Sequence, residues 1–94
     1  MKQLRFEKRF AEDLAVAIKW YEQVPAATRE KLRKSIGDRV RSIRSLPESF
    51  QMLSGGRGHR GATIPGFPWM IVFRVENGVV RLLRIVHLAS DWRQ

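Results

Sequence analysis

The chain has 94 residues, 44% hydrophobic and 29% charged, enough for one compact domain with one core and too short for two. Cysteine is absent and there are two histidines, which excludes disulfides, thiolate catalysis and cysteine-based metal sites and fits a reducing cytoplasm; His59 and His87 cannot hold a metal by themselves. Eighteen Lys and Arg against nine Asp and Glu leave +9, with thirteen arginines among the cations. A field of that sign favours an anionic partner such as nucleic acid, an acidic protein segment or anionic lipid, and arginine favours bidentate contact with phosphate or carboxylate.

Residues Lys2 to Phe6 alternate polar and apolar, as a half-buried strand does, and carry no apolar stretch of the kind found in a secretory leader. From Arg9 the period changes. Phe10, Leu14, Ala17, Ile18 and Tyr21 fall on one face of a helix, and Val16 and Trp20 widen its apolar arc beyond half the circumference. Either a second helix covers that excess or Trp20 helps form a groove for a partner. Pro25 ends this helix and opens the next, expected from Ala26 to Ser45. Leu32, Ile36, Val40 and Ile43 form its buried stripe, and Arg33, Lys34, Arg41 and Arg44 project oppositely. Pro47 stops it, and so short a connection makes the pair an antiparallel hairpin.

Residues 47–61 hold Gly55-Gly56 and Gly58 among Arg57, His59 and Arg60. The spacing matches neither a phosphate loop nor a dinucleotide fingerprint, so the segment reads as a mobile basic loop, and no cofactor is expected. A short strand near Arg60 to Ile64 follows, then a break at Pro65 to Pro68. Two strands, Trp69 to Glu76 and Val79 to Leu88, flank Asn77-Gly78, a strong two-residue hairpin signal. The longest apolar run, Trp69 to Phe73, falls far short of the ~20 residues needed to cross a bilayer, so no membrane partner is expected.

That turn predicts a register in which Glu76 opposes Val79, Arg74 opposes Arg81 and Val72 opposes Leu83. One face then holds Trp69, Ile71, Phe73 and Val75 with Val80, Leu82, Arg84, Val86 and Leu88, and should pack on the helices. The other holds Met70, Val72, Arg74 and Glu76 with Val79, Arg81, Leu83, Ile85 and His87. Arg74 across from Arg81 costs stability unless an anion lies near, and Glu76 is positioned to neutralise the pair. Arg84 on the inward face is either an edge residue or an ion-pair partner.

In this order the residues resemble the RelE/ParE toxin superfamily, closer to its ParE branch, over nearly the whole chain. The pieces are Phe10-Ala-Glu-Asp-Leu14, Trp20-Tyr21, Leu46-Pro47, Pro68-Trp-Met-Ile-Val-Phe-Arg-Val75 with its Asn-Gly turn, Val79-Val-Arg-Leu-Leu-Arg-Ile-Val-His87, and Ser90-Asp-Trp92. The resemblance implies an α+β fold: an N-terminal strand, a helical hairpin and a three-stranded antiparallel meander. It implies the cytoplasmic toxin of a type II toxin–antitoxin, or plasmid stabilisation, module, neutralised by an acidic antitoxin that folds as it binds. A +9 domain with a wide apolar helix face suits such a partner, which places antitoxin contacts at Val16, Trp20, Arg33 and Arg41.

ParE-like chains are associated with inhibition of DNA gyrase, and RelE-like ones with cleavage of mRNA on the ribosome. Cleavage needs a base, an acid and cations around one phosphate. RelE-like nucleases supply sheet-face Arg or Lys with a Tyr or His near the last strand. Here Met70 stands where Arg is often found, Leu88-Ala89-Ser90 replaces a basic cluster with Tyr, and the single tyrosine, Tyr21, lies in a helix. His87 alone matches, and its other reading is a strand-end histidine bonded to the tail, for instance to Asp91. Three functions follow: a gyrase-binding toxin that is not an enzyme; an endoribonuclease using His87 with Arg57, Arg60, Arg74 or Arg81 as phosphate clamps; and a basic nucleic-acid-binding module without toxicity. Against the last, the sheet lacks exposed stacking aromatics and the hairpin lacks Asn or Gln among its arginines.

Overall fold

The computed structural model describes residues 2–55 and 57–90. Strand β1 spans Gln3–Phe6, helices α1 and α2 span Lys8–Trp20 and Ala26–Ser45, and a 3-10 turn at Pro47–Ser49 leads to β2, Gln51–Met52. Strands β3, β4 and β5 span Arg60–Thr63, Trp69–Glu76 and Val79–His87. They form one sheet in the order β1-β5-β4-β3-β2. The expected strand, helix pair and antiparallel meander are therefore present. The sheet is extended at both ends: β1 runs parallel to β5, and β2 pairs with β3 in a segment expected to be loop.

Each element has a local cause. Helix α1 stops at Trp20, ahead of Pro25, and the tail of its ladder tightens as Tyr21 N–H reaches the Ile18 carbonyl at 3.1 Å, a common way for a helix end to satisfy its last carbonyls. Asn77 and Gly78 both adopt positive φ, 52° and 77°, the turn whose twist matches two antiparallel strands. Phe10 of α1 and Leu32, Ile36 and Ile43 of α2 pack with Ala62, Ile71, Phe73, Val80, Leu82 and Ile85 of the sheet. Each of the larger side chains among them stabilises by about 1.5–3 kcal/mol when fully buried.

The register holds only as far as Phe73. Glu76 faces Val79, Arg74 faces Arg81 and Phe73 faces Leu82, but Val72 faces Arg84, leaving Leu83 as an extra residue in β5. This bulge corrects the expected Val72–Leu83 pairing. Because side chains alternate with period two, one inserted residue reverses every face beyond it. Ile85 and His87 now lie beside Ile71 and Trp69 on the helix side, and Ile85 joins the helix-packed core. Arg84 and Val86, expected inward, lie with Val72 and Met70 on the opposite face. There Val72 and Val86 are buried outside the main core. Gly61 permits part of this cover: a Cβ there would stand 2.6 Å from the Met70 sulfur and 3.0 Å from a Leu53 methyl.

Candidate functional site

The sheet face away from the helices carries a row of arginines across three strands. Arg74 of β4 faces Arg81 of β5, and Arg81 faces Arg5 of β1. Like charges set directly opposite repel, and two carboxylates answer them. Glu76 lies 2.8 Å from the Arg74 guanidinium and 3.7 Å from that of Arg81, while Glu7 accepts from Arg81 at 2.9 Å. Arg5 is exposed and forms no ion pair among the described residues. Nε of Arg74 and of Arg81 are buried without a hydrogen-bond partner. The row is a cationic surface partly neutralised from within, able to exchange Glu76 for an outside anion.

The other residues singled out for phosphate binding do not join this row. Arg60 sits opposite Phe73 on the helix side, and its guanidinium donates to the carbonyls of Phe50 at 2.7 Å and Glu48 at 3.5 Å. It ties the 3-10 turn and the approach to β2 back to β3. Arg57 is exposed in the loop before β3. His87 ends β5 opposite Trp69, its ring edge-on to the indole at 5.4 Å. The bulge therefore sets it across the sheet from Arg74 and Arg81, where the uninterrupted register had put all three on one face. Its Nδ1 accepts the Ala89 N–H at 3.1 Å, so a neutral ring carries its proton on Nε2. The bond to the tail expected of a strand-end histidine thus falls on Ala89; Asp91, like Trp92 of the tail motif, lies outside the described residues.

A polar cluster that the sequence did not point to lies at the edge of β5. Strand β1 pairs with β5 only as far as Leu82, and beyond it the edge of β5 meets α1. Asp13 accepts the Ile85 N–H at 3.0 Å and holds the Arg84 guanidinium at 2.7 and 3.3 Å. Arg84 is thus both an edge residue and an ion-pair partner. The only sequence signal was a lone cation on the face of β5 expected to be apolar, with nothing to name Asp13.

On the helices, Val16 and Trp20 are 59% and 74% exposed. The excess apolar arc of α1 is left open and not covered by α2. The two residues line a depression with Lys19, Glu22 and Gln23, on the flank that also carries Asp13 and so runs beside the edge of β5. Arg33 and Arg41 are exposed on α2. Arg41 pairs with Asp38, as does Lys34 at 3.3 Å. The Lys34 hydrogen bond, with the charges of Lys34 and Arg41, holds the Asp38 carboxyl below the ordinary carboxylate value. Arg41 lines a different depression, with Arg39 and Leu46, and Arg33 lines neither, so the four residues expected to meet a partner do not share one surface.

Comparison with known proteins adds an independent line. A family model described as the ParE toxin of the type II toxin–antitoxin system parDE matches residues 4–92. A chromosomal ParDE toxin–antitoxin structure from P. aeruginosa superposes with a TM-score of 0.78 at 21% identity, covering 94% of this chain and 97% of that one. The E. coli DinJ–YafQ complex follows at 0.64 and 17%, covering 98% and 99%, and the intact E. coli RelBE toxin–antitoxin complex at 0.59 and 18%, covering 96% and 99%. At these identities the structures establish likeness of fold. A search of curated protein sequences returned no match.

Proposed function

From the premise that this chain belongs to the family of ParE toxins of type II toxin–antitoxin systems, we propose that it acts by binding and not by cutting. In this reading it inhibits DNA gyrase in the cytoplasm, as the ParE-like resemblance implies, until an acidic antitoxin neutralises it. The observation that carries the non-enzymatic reading is the position of His87. Cleavage of RNA requires acid, base and cations around one phosphate, whereas here the candidate histidine and the paired arginines lie on opposite faces of the sheet. Purified protein is expected to block a gyrase supercoiling reaction and to leave ribosome-bound mRNA intact in a translation extract. Discrete cuts that vanish in His87→Ala would reverse the assignment in favour of the endoribonuclease, for which the Arg74 and Arg81 Nε groups, buried without a hydrogen-bond partner, are the favourable observation.

The antitoxin reading is supported by the ParDE, DinJ–YafQ and RelBE likenesses and by the open Val16–Trp20 flank on a strongly basic domain. An acidic amphipathic segment would seat apolar side chains on that flank, with Arg33 and Arg41 contributing to electrostatic steering. Trp20→Asp is expected to weaken the complex at least tenfold while changing the stability of the free domain by less than about 0.5 kcal/mol, as for exposed sites. Unfolding of the variant would make Trp20 a core residue and remove the docking role.

A further inference from the structure

Along one flank of α2, three depressions of about 510, 260 and 560 Å³ adjoin. The first two share Ser35, Asp38 and Pro65, and the last two share Asp38, Arg39 and Ser42. They form one groove from Thr28 to Leu46, roughly 27 Å long at the helical rise per residue. About eight residues of extended chain would fill it. Lys31, Lys34, Arg39 and Arg41 line it against a single carboxylate, Asp38. Phe67 and Pro65 wall one end; Phe50 and Leu46, the latter 65% exposed, wall the other. The Arg39 guanidinium lies 5.6 Å over the Phe50 ring, and its Nε is buried without a partner. A flat guanidinium set over a ring is suited to holding a carboxylate through its terminal donors.

We propose that this groove binds an acidic extended segment of the protein partner, with carboxylates along Lys31, Lys34 and Arg39 and an apolar side chain against Leu46. The inference deepens the antitoxin reading and rests on it, adding a second surface separate from Val16 and Trp20. A peptide fits better than nucleic acid because Asp38 stands where the depressions meet. A uniformly charged phosphate chain cannot avoid it, whereas a peptide can place a neutral residue there. The apolar ends likewise have no use for phosphates.

The probe is a fluorescein-labelled, glutamate-rich peptide of about eight residues ending in leucine, titrated into the intact protein. Lys31→Glu with Lys34→Glu is expected to weaken binding at least tenfold. Lys8→Glu with Arg9→Glu, an equal change of charge on exposed residues of α1, is expected to weaken it less than threefold. Should the groove reversal melt the domain, Lys31→Gln with Lys34→Gln is expected to retain the fold and still lose at least threefold. Leu46→Ser should weaken the leucine-ended peptide and spare an all-glutamate one. Equal losses in the groove and control pairs would reduce the effect to net charge and overturn the proposal. So would tighter binding of a single-stranded oligonucleotide at the same residues. The toxin reading fails separately: expression without growth arrest would sink it while leaving the peptide result intact.

Discussion

Between the Asn77–Gly78 turn and Leu82, β5 lies between two hydrogen-bonded strands, with Val80 and Leu82 fully buried. From Ile85 to His87 it has β4 on one side and no strand on the other. The last contact with the β1 side is Glu7 N–H to the Leu82 carbonyl at 3.0 Å, after which Asp13 of α1 takes over. A sheet edge leaves donors that must be met, and here one carboxylate meets the Ile85 N–H and the Arg84 guanidinium together. The extra residue Leu83 separates the two regimes. It keeps Ile85 in the core where the strand loses a neighbour, and it sends His87 to the helix side while Arg74 and Arg81 keep the open face. The first half of the hairpin is built by strand pairing, the second by a bulge and a helix-borne carboxylate.

Ile85→Asp attacks the outcome of that boundary directly and should have the largest effect. The bulge turns this side chain into the helix-packed core, so the variant loses apolar burial and places a carboxylate there, costing about 3 kcal/mol or more. Urea unfolding reads it, and wild-type stability would show that Ile85 faces outward, as an uninterrupted strand would place it. Asp13→Ala tests the second regime alone. It strands a half-buried guanidinium and an amide, at a cost of about 1–3 kcal/mol. Hydrogen exchange should show lost protection at the Ile85 amide and unchanged protection at Val80; uniform loss would mean the two halves are one cooperative unit.

Glu76→Gln probes the first half's open face. Its ion pairs with Arg74 and Arg81 are more than a third exposed on the glutamate side, so thermal melts should register less than about 1 kcal/mol. A larger loss would mean that the arginine row strains the hairpin more than its exposure suggests. The smallest effect lies off the sheet, at Asp38. Its folded-state pKa is lowered from 3.8 by Lys34 and Arg41, so its contribution is complete above that value and fades as pH falls through the lower folded one. Asp38→Asn should slightly flatten the acid limb of a stability profile, and a parent profile with the same limb would assign that limb to other carboxylates.

Much of this was legible from local signals. Asn77-Gly78 specified a turn that accepts two positive φ angles, and from it followed the Arg74–Arg81 pair and its neutralisation by Glu76. The period of α1 exposed Val16 and Trp20 as surplus to one packed face, and Pro25 and Pro47 bounded α2. The bulge was invisible because Leu83 is as good a strand residue as its neighbours, and alternation counted across it gives the wrong face for everything after. Arg60 looked like a free cation because backbone carbonyls, its partners at Glu48 and Phe50, leave no mark in side-chain chemistry. The short β2 was hidden in a glycine-rich stretch whose composition suits a loop.

The amino-acid order by itself determined the elements, the hairpin turn, the strongly basic charge and an apolar helix face too wide for one neighbour, because each of these depends on residues within a few positions of one another. Tertiary structure alone decided that β1 lies parallel to β5, that Leu83 bulges, and that Asp13 closes the edge left where β1 ends. The first and last of these join residues about seventy positions apart, and all three depend on which donors and faces remain unmet once the sheet is assembled, a quantity no local pattern contains.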